Sequence, residues 1–547
     1  MTTRADSVSL QFSDEQRQVI DSRSRAVLVL GGAGCGKTTA ALATARRHLR
    51  ESDAAEQPIG ERRVLFVTFS RTAVEQIRDR SAGVLTDEGD RIEIATFHGL
   101  AFRLDRAFGR YFGGEHEPTL VSDARSRLLG TQQRHLTYSE LIPRALRIVQ
   151  SETAIARLIS NRWSLVICDE FQDTDDAEWQ LLQAVSPNAR IILLADPNQM
   201  IYSGFKPGVD LSRLDSARAV PDCLEIELPP QSHRDPTQIL PAAALAVRHR
   251  HFDDKSIGRA LDEGRLVIST GVPDDLDLRA QRIATELAGC RDDGLLSCGV
   301  YVKTNADAAG MSEALLGLGV RHVPVGFSEA FGESLEAQLV LAKFGGGEAT
   351  WTEVVEALAV VATANVRKKD PPRLARLLAS QQPISREFDR RLLELRGNLE
   401  SARTIDGALE VAVHAWSTLG ITPGEREWER AGRILTSLFH RTPSVHSGGL
   451  VSLENEVARL RIDSLVTSDR GRSHRIQLMN FSQTKGREAD AVILSYSSSD
   501  YYGSATEPFD EASRIVYVSM TRARHRVIVL LPDEPHELVA PLAELAR

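Results

Sequence analysis

Gly31-Gly32-Ala33-Gly34-Cys35-Gly36-Lys37-Thr38 fits the pattern G-x-x-x-x-G-K-[ST]. Glycines at this spacing let backbone N–H groups turn inward around phosphate oxygens, and a helix that starts there adds favourable partial charge. Lys37 is the residue to reach the β- and γ-phosphates, and Thr38 the hydroxyl to ligate Mg2+. Farther along, Leu165-Val166-Ile167-Cys168 ends in Asp169-Glu170. Asp169 is placed to join the Mg2+ shell and Glu170 to polarise an attacking water. A strand ending in two acids usually reads as a solvated turn. Beside a phosphate loop it reads as the acidic half of a nucleoside-triphosphate hydrolysis site.

These residues need a strand before the loop and a helix after it. AVLVL (Ala26–Leu30) and TTAALATARRHL (Thr38–Leu49) supply both. Other short apolar runs alternate with helical patterns in two sets, as in parallel α/β sheets. The first set is Ala26–Leu30, Val64–Thr68, Ile92–Ala95, Ser164–Cys168, Ile191–Ala195 and Cys223–Leu228. The second is Arg265–Ser269, Cys298–Lys303, His322–Val325, Ile476–Asn480, Ala491–Ser495 and Arg526–Leu531. A long helical segment interrupts each set, about Ala101–Asn161 and about Gly346–Arg475, and the polar run Thr467–His474 reads as a linker.

The composition is that of a globular protein: 547 residues, 42% hydrophobic and 26% charged, with a net charge of -9. That charge argues against a protein that simply coats nucleic acid, but it is compatible with a basic groove on an otherwise acidic surface. No apolar run approaches the ~20 residues of a membrane span. Met1–Leu10 is polar and of mixed charge, so no signal peptide is expected. Five scattered cysteines, Cys35, Cys168, Cys223, Cys290 and Cys298, fit a reducing, cytoplasmic compartment and argue against a structural zinc or iron–sulfur site.

Asp169-Glu170-Phe171-Gln172-Asp173-Thr174 resembles the signature of UvrD/Rep-like helicases of superfamily 1. Further blocks match that family in order: Asp14-Glu15-Gln16, VTFSRTA (Val67–Ala73), ATFHGLA (Ala95–Ala101), ADPNQMIY (Ala195–Tyr202), QSHR (Gln231–Arg234), NFSQTKGRE (Asn480–Glu488) and YVSMTRAR (Tyr517–Arg524). The resemblance implies an α/β fold of two RecA-like parallel-sheet motor domains, each with a helical insertion. The expected boundaries are 1–102 and 161–230 for the first motor domain around an insertion at 103–160, and 231–345 and 471–547 for the second around 346–470. It also implies ATP and Mg2+, held by Gly32, Ala33, Gly34, Cys35, Gly36, Lys37 and Thr38, with Gln16 on the adenine and Glu488 either on the ribose or helping to read the nucleotide state. Gln199 would contact the γ-phosphate and the attacking water. Arg234 and Arg522 would reach it from the second domain, where such an arginine is worth ~10³–10⁵ in rate. The expected second partner is single-stranded DNA, or DNA with a single-stranded tail. Phe69, Phe97, His98, Tyr202 and Phe205 would line its path, with Thr68, Arg71 and Thr96 on phosphates and Ser482 nearby.

Four positions depart from the family. Thr39 and His233 stand where an arginine and a tyrosine sandwich the adenine, which implies looser base discrimination. Ser482 replaces a DNA-touching histidine, and Phe205 a tryptophan displaced by one residue. The insertions are short, and no nuclease or tudor-like module is expected after the last motif. The resemblance implies a 3′-to-5′ DNA helicase or translocase in repair or recombination. A second reading stays open: a DNA-stimulated ATPase subunit of a multi-protein complex, such as a phage-defence system, with a protein partner and little unwinding of its own. A phosphate-loop kinase or nucleotide switch leaves the second-domain arginines unexplained.

Overall fold

A computed structural model describes residues 11–54, 63–84, 89–112, 119–130, 135–151, 153–203, 206–324, 328–366, 370–402, 404–441, 453–454, 457, 476–503 and 507–546. Two six-stranded sheets carry the fold. The first contains β1 (Ala26–Leu30), β2 (Arg63–Thr68), β3 (Ile92–Thr96), β6 (Trp163–Cys168), β7 (Arg190–Ala195) and β8 (Cys223–Glu227), in the order β3-β2-β6-β7-β1-β8. The intervening β4 (Thr119–Leu120) and β5 (His135–Leu136) form a separate two-stranded pair. The second sheet contains β9 (Leu266–Ser269), β10 (Cys298–Val302), β11 (Val323–Pro324), β12 (Ile476–Asn480), β13 (Ala489–Ser495) and β14 (Ala523–Leu530), in the order β11-β12-β10-β13-β14-β9. Every pairing is parallel. The central strands are nearly continuous apolar runs, as in a parallel sheet covered on both faces. All five residues of β10, for example, are buried. The edge strand β8 (CLEIE), by contrast, is largely exposed.

The α/β reading and its twelve strands stand, with small changes at the ends. β14 starts at Ala523 rather than Arg526 because Ala523 pairs with Ala489 beyond an irregularity in the ladder. Apolar patterning missed those residues because Arg524 and His525 are exposed. Val325, the linker Thr467–His474 and the N-terminal ten residues lie outside the described residues.

The chain divides into two compact units. The larger comprises Met1–Ala101, Ala145–Val325 and Asp469–Arg547, and contains both sheets. The smaller comprises Phe102–Arg144 and Gly326–Ser468, so the two helical segments form one body. Within it the backbone N–H of Ala124 donates to Glu329 Oε1 at 2.8 Å, and Arg127 Nη1 donates to the Val366 carbonyl at 3.0 Å. Trp416 and Trp428 stack at 4.9 Å in its core. The division falls inside the helix Tyr138–Ser151 and ahead of the helix Glu329–Gly345, not at the composition changes near 160 and 346. A boundary within a continuous helix leaves no mark in composition.

Candidate active site

Parallel strands deliver their C-terminal ends to one edge of a sheet, which is where α/β ligand sites form. In the first sheet that edge carries Gly31 after β1, Thr68 at the end of β2, Thr96 at the end of β3, Asp169 after β6 and Asp196 after β7. The loop from Gly31 to Gly36 then turns into the helix Lys37–Ala54. Gly34 and Gly36 adopt φ of +79° and +88°, where a side chain is strained. A Cβ on Gly34 would lie 2.4 Å from Ser232 Oγ, and one on Gly36 would lie 2.5 Å from Gln16 Nε2. The loop therefore has no room for side chains at either position.

Lys37 Nζ donates to the carbonyls of Gly31 and Gly32 at 2.5 and 3.0 Å, which holds the ammonium in the loop's concavity. Burial opposes its charge, yet the Cys35 thiol and the carboxylates of Asp196, Glu170 and Asp169 leave its pKa raised. Thr38 Oγ1 donates to Asp169 Oδ2 at 3.3 Å. This hydroxyl and carboxylate form a hard oxygen pair, the donor set that suits Mg2+ shared with phosphate oxygens. Among the described residues, no group of three or more His, Cys, Asp or Glu could hold a metal by itself.

Glu170 has φ 55° and ψ 39°, a left-handed conformation costing about 1–2 kcal/mol for a residue with a side chain. Its N–H donates to Asp169 Oδ1 at 3.0 Å, which helps hold the turn. Its Oε2 accepts from Gln172 Nε2 at 2.7 Å. Gln172 Oε1 in turn accepts from the Asp196 N–H at 3.1 Å, tying the ends of β6 and β7 together. Burial pushes Glu170 up, but Lys485, Lys37 and other positive neighbours hold its carboxyl below the usual range.

The second sheet completes the site. The pairing of Ala489 with Ala523 sets Glu488 and Arg522, the residues just before them, side by side. Arg522 Nη2 donates to Gln199 Oε1 at 2.9 Å, and Gln199 Nε2 donates to Asp196 Oδ2 at 2.7 Å. Arg522 is 2% exposed. Burial and the nearby Arg234 pull its pKa down to about 10, so it stays charged at neutral pH. Arg234 donates through Nη1 to the Thr521 carbonyl and through Nη2 to Glu488 Oε1, both at 2.6 Å. Its buried Nε has no hydrogen-bond partner among the described residues, a spare donor suited to an anionic oxygen. Glu488 also pairs with Arg524 at 3.1 Å, so its carboxylate is shared between two arginines.

The residues expected to face the base are more fully engaged. Gln16 accepts from Ser13 N–H at 3.0 Å and donates to the Cys35 carbonyl at 3.1 Å. It is 5% exposed. His233 N–H donates to the Gly34 carbonyl at 2.8 Å, and its ring lies beside Gly36. Thr39 sits in the first turn of the helix that follows.

The residues expected to face a nucleic-acid strand divide. Phe69 and Tyr202 stack with centroids 5.6 Å apart and planes 15° apart. Lys206 Nζ lies 4.3 Å above the Phe69 ring. Burial pushes Tyr202 up to about 12, so its hydroxyl remains a donor, to the Ser482 carbonyl at 3.4 Å. Burial and then Lys206 pull His98 down to about 4, so it brings a neutral ring rather than a cation to any phosphate. Phe97 is 1% exposed and packs in the interior, which corrects the expectation that it stacks on bases. Thr68 is fully buried with an unpartnered Oγ1, and Thr96 accepts from the Gly99 N–H at 3.0 Å, capping the helix Phe97–Phe108. Neither hydroxyl reaches out from the surface in this structure. Arg71 begins the helix Arg71–Val84. Its side chain and all of Phe205 lie outside the described residues.

Sequence reasoning passed over three residues at this centre: Lys485, Asp173 and Tyr517. Lys485 Nζ contacts Asp173 and Glu170, and Tyr517 OH accepts from the Ala33 N–H at 3.4 Å. All three lie inside blocks already singled out. Only folding, however, brings Lys485 to Glu170 and Tyr517 to the loop.

Fold and site together describe a phosphate-loop chain with two RecA-like halves, whose candidate hydrolytic groups lie at the ends of strands of both sheets. An AAA domain family matches residues 16–205. The chain is 24% identical to the ATP-dependent DNA helicase UvrD1 of Mycobacterium leprae over 60% of this chain and 52% of that protein. It is 22% identical to the ATP-dependent DNA helicase UvrD2 of Mycobacterium bovis over 96% of this chain and 79% of that protein. It is also 24% identical to the RecBCD enzyme subunit RecB of Mycolicibacterium smegmatis over 75% of this chain and 44% of that protein. The chain resembles UvrD/Rep-like helicases, with the resemblance carried by residues of both sheets. It spans about half the length of the first curated relatives it matches. Among the described residues, no helix is long and apolar enough to cross a membrane.

Proposed function

We propose that the chain is an ATP-dependent DNA helicase or translocase of the UvrD/Rep type, acting 3′-to-5′ on single-stranded DNA or from a single-stranded tail, in repair or recombination. The observation that carries this reading is the contact between Arg522 of the second half and Gln199 of the first, 2.9 Å long. A hydrolytic site that needs a charge from each half responds to their relative motion, which is how closure becomes stepping. Lys37 and Arg522 bind and neutralise phosphate charge, Glu170 orients and polarises water, and Thr38 with Asp169 would hold Mg2+. When bound, Mg2+ supplies charge neutralisation at the β- and γ-phosphates. The Phe69–Tyr202 pair supports a strand partner, since base–aromatic stacking tolerates any sequence. The named activities of the relatives point the same way.

The match to a RecBCD subunit favours a second reading: an ATPase whose hydrolysis is stimulated by DNA within a complex that also contains a protein partner. One experiment separates the two. ATP hydrolysis is measured with and without oligo-dT, followed by unwinding of forked duplexes bearing a 3′ or a 5′ tail. Unwinding from the 3′ tail supports the helicase, while stimulated hydrolysis without strand separation supports the subunit. Hydrolysis indifferent to oligo-dT refutes both.

A further inference from the structure

We propose that Cys290 and Cys298 form a peroxide-reactive dithiol, with Cys290 as the nucleophile and Cys298 as the thiol that resolves it into a disulfide. The pair lies outside the hydrolytic and strand-facing groups described above.

Cys290 stands near the end of the helix Leu276–Asp292, and Cys298 is the first residue of β10. The short loop between them turns back at Leu295, whose N–H donates to the Cys290 carbonyl at 2.9 Å. Cys298 is held separately. It pairs with Ile476 and Ala491 in the sheet, and the N–H groups of Leu296 and Ser297 just before it both donate to Asp490 Oδ2 at 3.0 Å. Helix and strand thus bring the two side chains into one apolar cluster, where their sulfurs share a hydrogen bond. A disulfide needs two sulfurs already close on well-placed backbones, and this pair provides them.

The surroundings are not those of two inert core thiols. Cys298 S–H donates to the Cys290 sulfur, and so does the Arg526 guanidinium, which is anchored on Asp293 at 2.5 Å. The Cys298 hydrogen bond holds the Cys290 thiol below its ordinary range against the opposing effect of burial. Arg526 adds to the lowering, while Glu286 and Asp293 work against it. The same hydrogen bond, followed by burial, pushes Cys298 up. One sulfur is therefore favoured as thiolate while its neighbour keeps its proton, the division of labour between an attacking and a resolving thiol. Cys290 is 1% exposed and Cys298 5%, beneath a loop that carries Asp292, Asp293, Gly294 and Leu296 at the surface. Such burial favours a small oxidant, hydrogen peroxide, over a bulky disulfide.

The Cys290 thiolate attacks one peroxide oxygen and the O–O bond breaks. The leaving hydroxide takes up the proton released by Cys290, giving water and a sulfenic acid. The Cys298 sulfur then attacks the Cys290 sulfur, the S–O bond breaks, and the hydroxyl leaves as a second water with the Cys298 proton. Two thiols are oxidised to a disulfide and one peroxide is reduced to two waters. In a reducing compartment, thiol–disulfide exchange restores the pair.

The test uses the full chain, as wild type and as Cys298→Ser, Cys290→Ser and Arg526→Gln. Reduced protein is treated with hydrogen peroxide for increasing times, remaining thiols are blocked with N-ethylmaleimide, and peptides are read by mass spectrometry. The half-buried Cys223 is the internal reference, because it reacts first if exposure alone decides. The expected result is a cross-link between Cys290 and Cys298, about 2 Da lighter than the two reduced peptides. It should form at least about tenfold faster than Cys223 is oxidised, and dithiothreitol should reverse it. In Cys298→Ser, dimedone should trap a sulfenic acid on Cys290. In Cys290→Ser, Cys298 should remain a thiol, and Arg526→Gln should cross-link severalfold more slowly. Oxidation of Cys223 ahead of the pair, a cross-link between chains, dimedone on Cys298 instead of Cys290, or a wild-type rate in Arg526→Gln would each overturn the inference. The wild-type comparison with Cys223 needs no variant, so it decides the matter even where a variant fails to fold.

Discussion

The proposed nucleotide side and the proposed strand-facing side of the larger unit grow from neighbouring ends of the same strands, but they are made of different material. At the nucleotide side, Lys37, Glu170, Gln199, Arg234 and Arg522 are buried or half-buried, and each is fixed by charged or amide partners at 2.5–3.3 Å. At the strand side, the central contact is a ring pair 5.6 Å apart with a lysine over one face. A phosphate must be met at defined distances by defined charges, so the residues that would face it are closely constrained in type. A base offers a π-face whatever its identity, so a broad aromatic surface suffices and individual positions can drift. The departures at Ser482 and Phe205 fall on the tolerant side. On the nucleotide side they are confined to Thr39 and His233, which face the base and not the phosphates.

This contrast can be broken by experiment. The largest effect is expected from Arg522→Ala, which should lower kcat for ATP by about 10³-fold or more while moving KM far less. A loss confined to KM would show that Arg522 only binds nucleotide. Lys37→Ala serves as the companion control, and retained turnover in it would refute the site altogether. Next is Tyr202→Ala, expected to weaken oligo-dT binding by about 10- to 100-fold, the ~1–3 kcal/mol of one stacked base. Fluorescence anisotropy measures this, and unchanged affinity would move the strand path elsewhere. A smaller effect concerns the base. With Thr39 and His233 in place of an arginine–tyrosine sandwich, GTP should be hydrolysed within about tenfold of ATP, a difference of about 1.4 kcal/mol. Strict ATP dependence would show that Gln16 and His233 suffice.

The smallest effect is a pH dependence. Burial, followed by Lys206, lowers His98 from its ordinary 6.5 to about 4 in the folded chain. A depressed folded pKa means the unfolded chain takes up the proton first. Its contribution to stability is therefore complete above about pH 6.5 and is lost as pH falls towards 4. Thermal melts of His98→Asn should show a shallower loss across that window than the wild type. An identical slope would mean that His98 titrates normally.

Much of this site was legible in the residues. The strand–loop–helix pattern around Gly31–Thr38 and the acids after β6 fall where hydrophobic patterning and glycine spacing put them, because these are local features. Asp14-Glu15-Gln16 reads equally well as a helix start, and Ser13 forms a capping box with Gln16. Phe97 misled because its motif is compatible with both an exposed and a core-facing ring, and only packing chooses between them. The short insertions gave no sign that they form a single body, since Arg125 and Glu356 meet across more than two hundred residues of sequence.

The phosphate loop, the acidic strand end and the two arginines were determined by the sequence, because each is a short run whose chemistry is written in its residue types. Tertiary structure alone decided which partners they have. Arg522 finds Gln199, and Lys485 is shared among Glu170, Asp173 and the Gln199 carbonyl. These contacts join residues some three hundred positions apart, brought together by the ordering of strands in two sheets. Local propensity carries no information about which distant charge will stand opposite, so that part of the site exists only once the chain has folded.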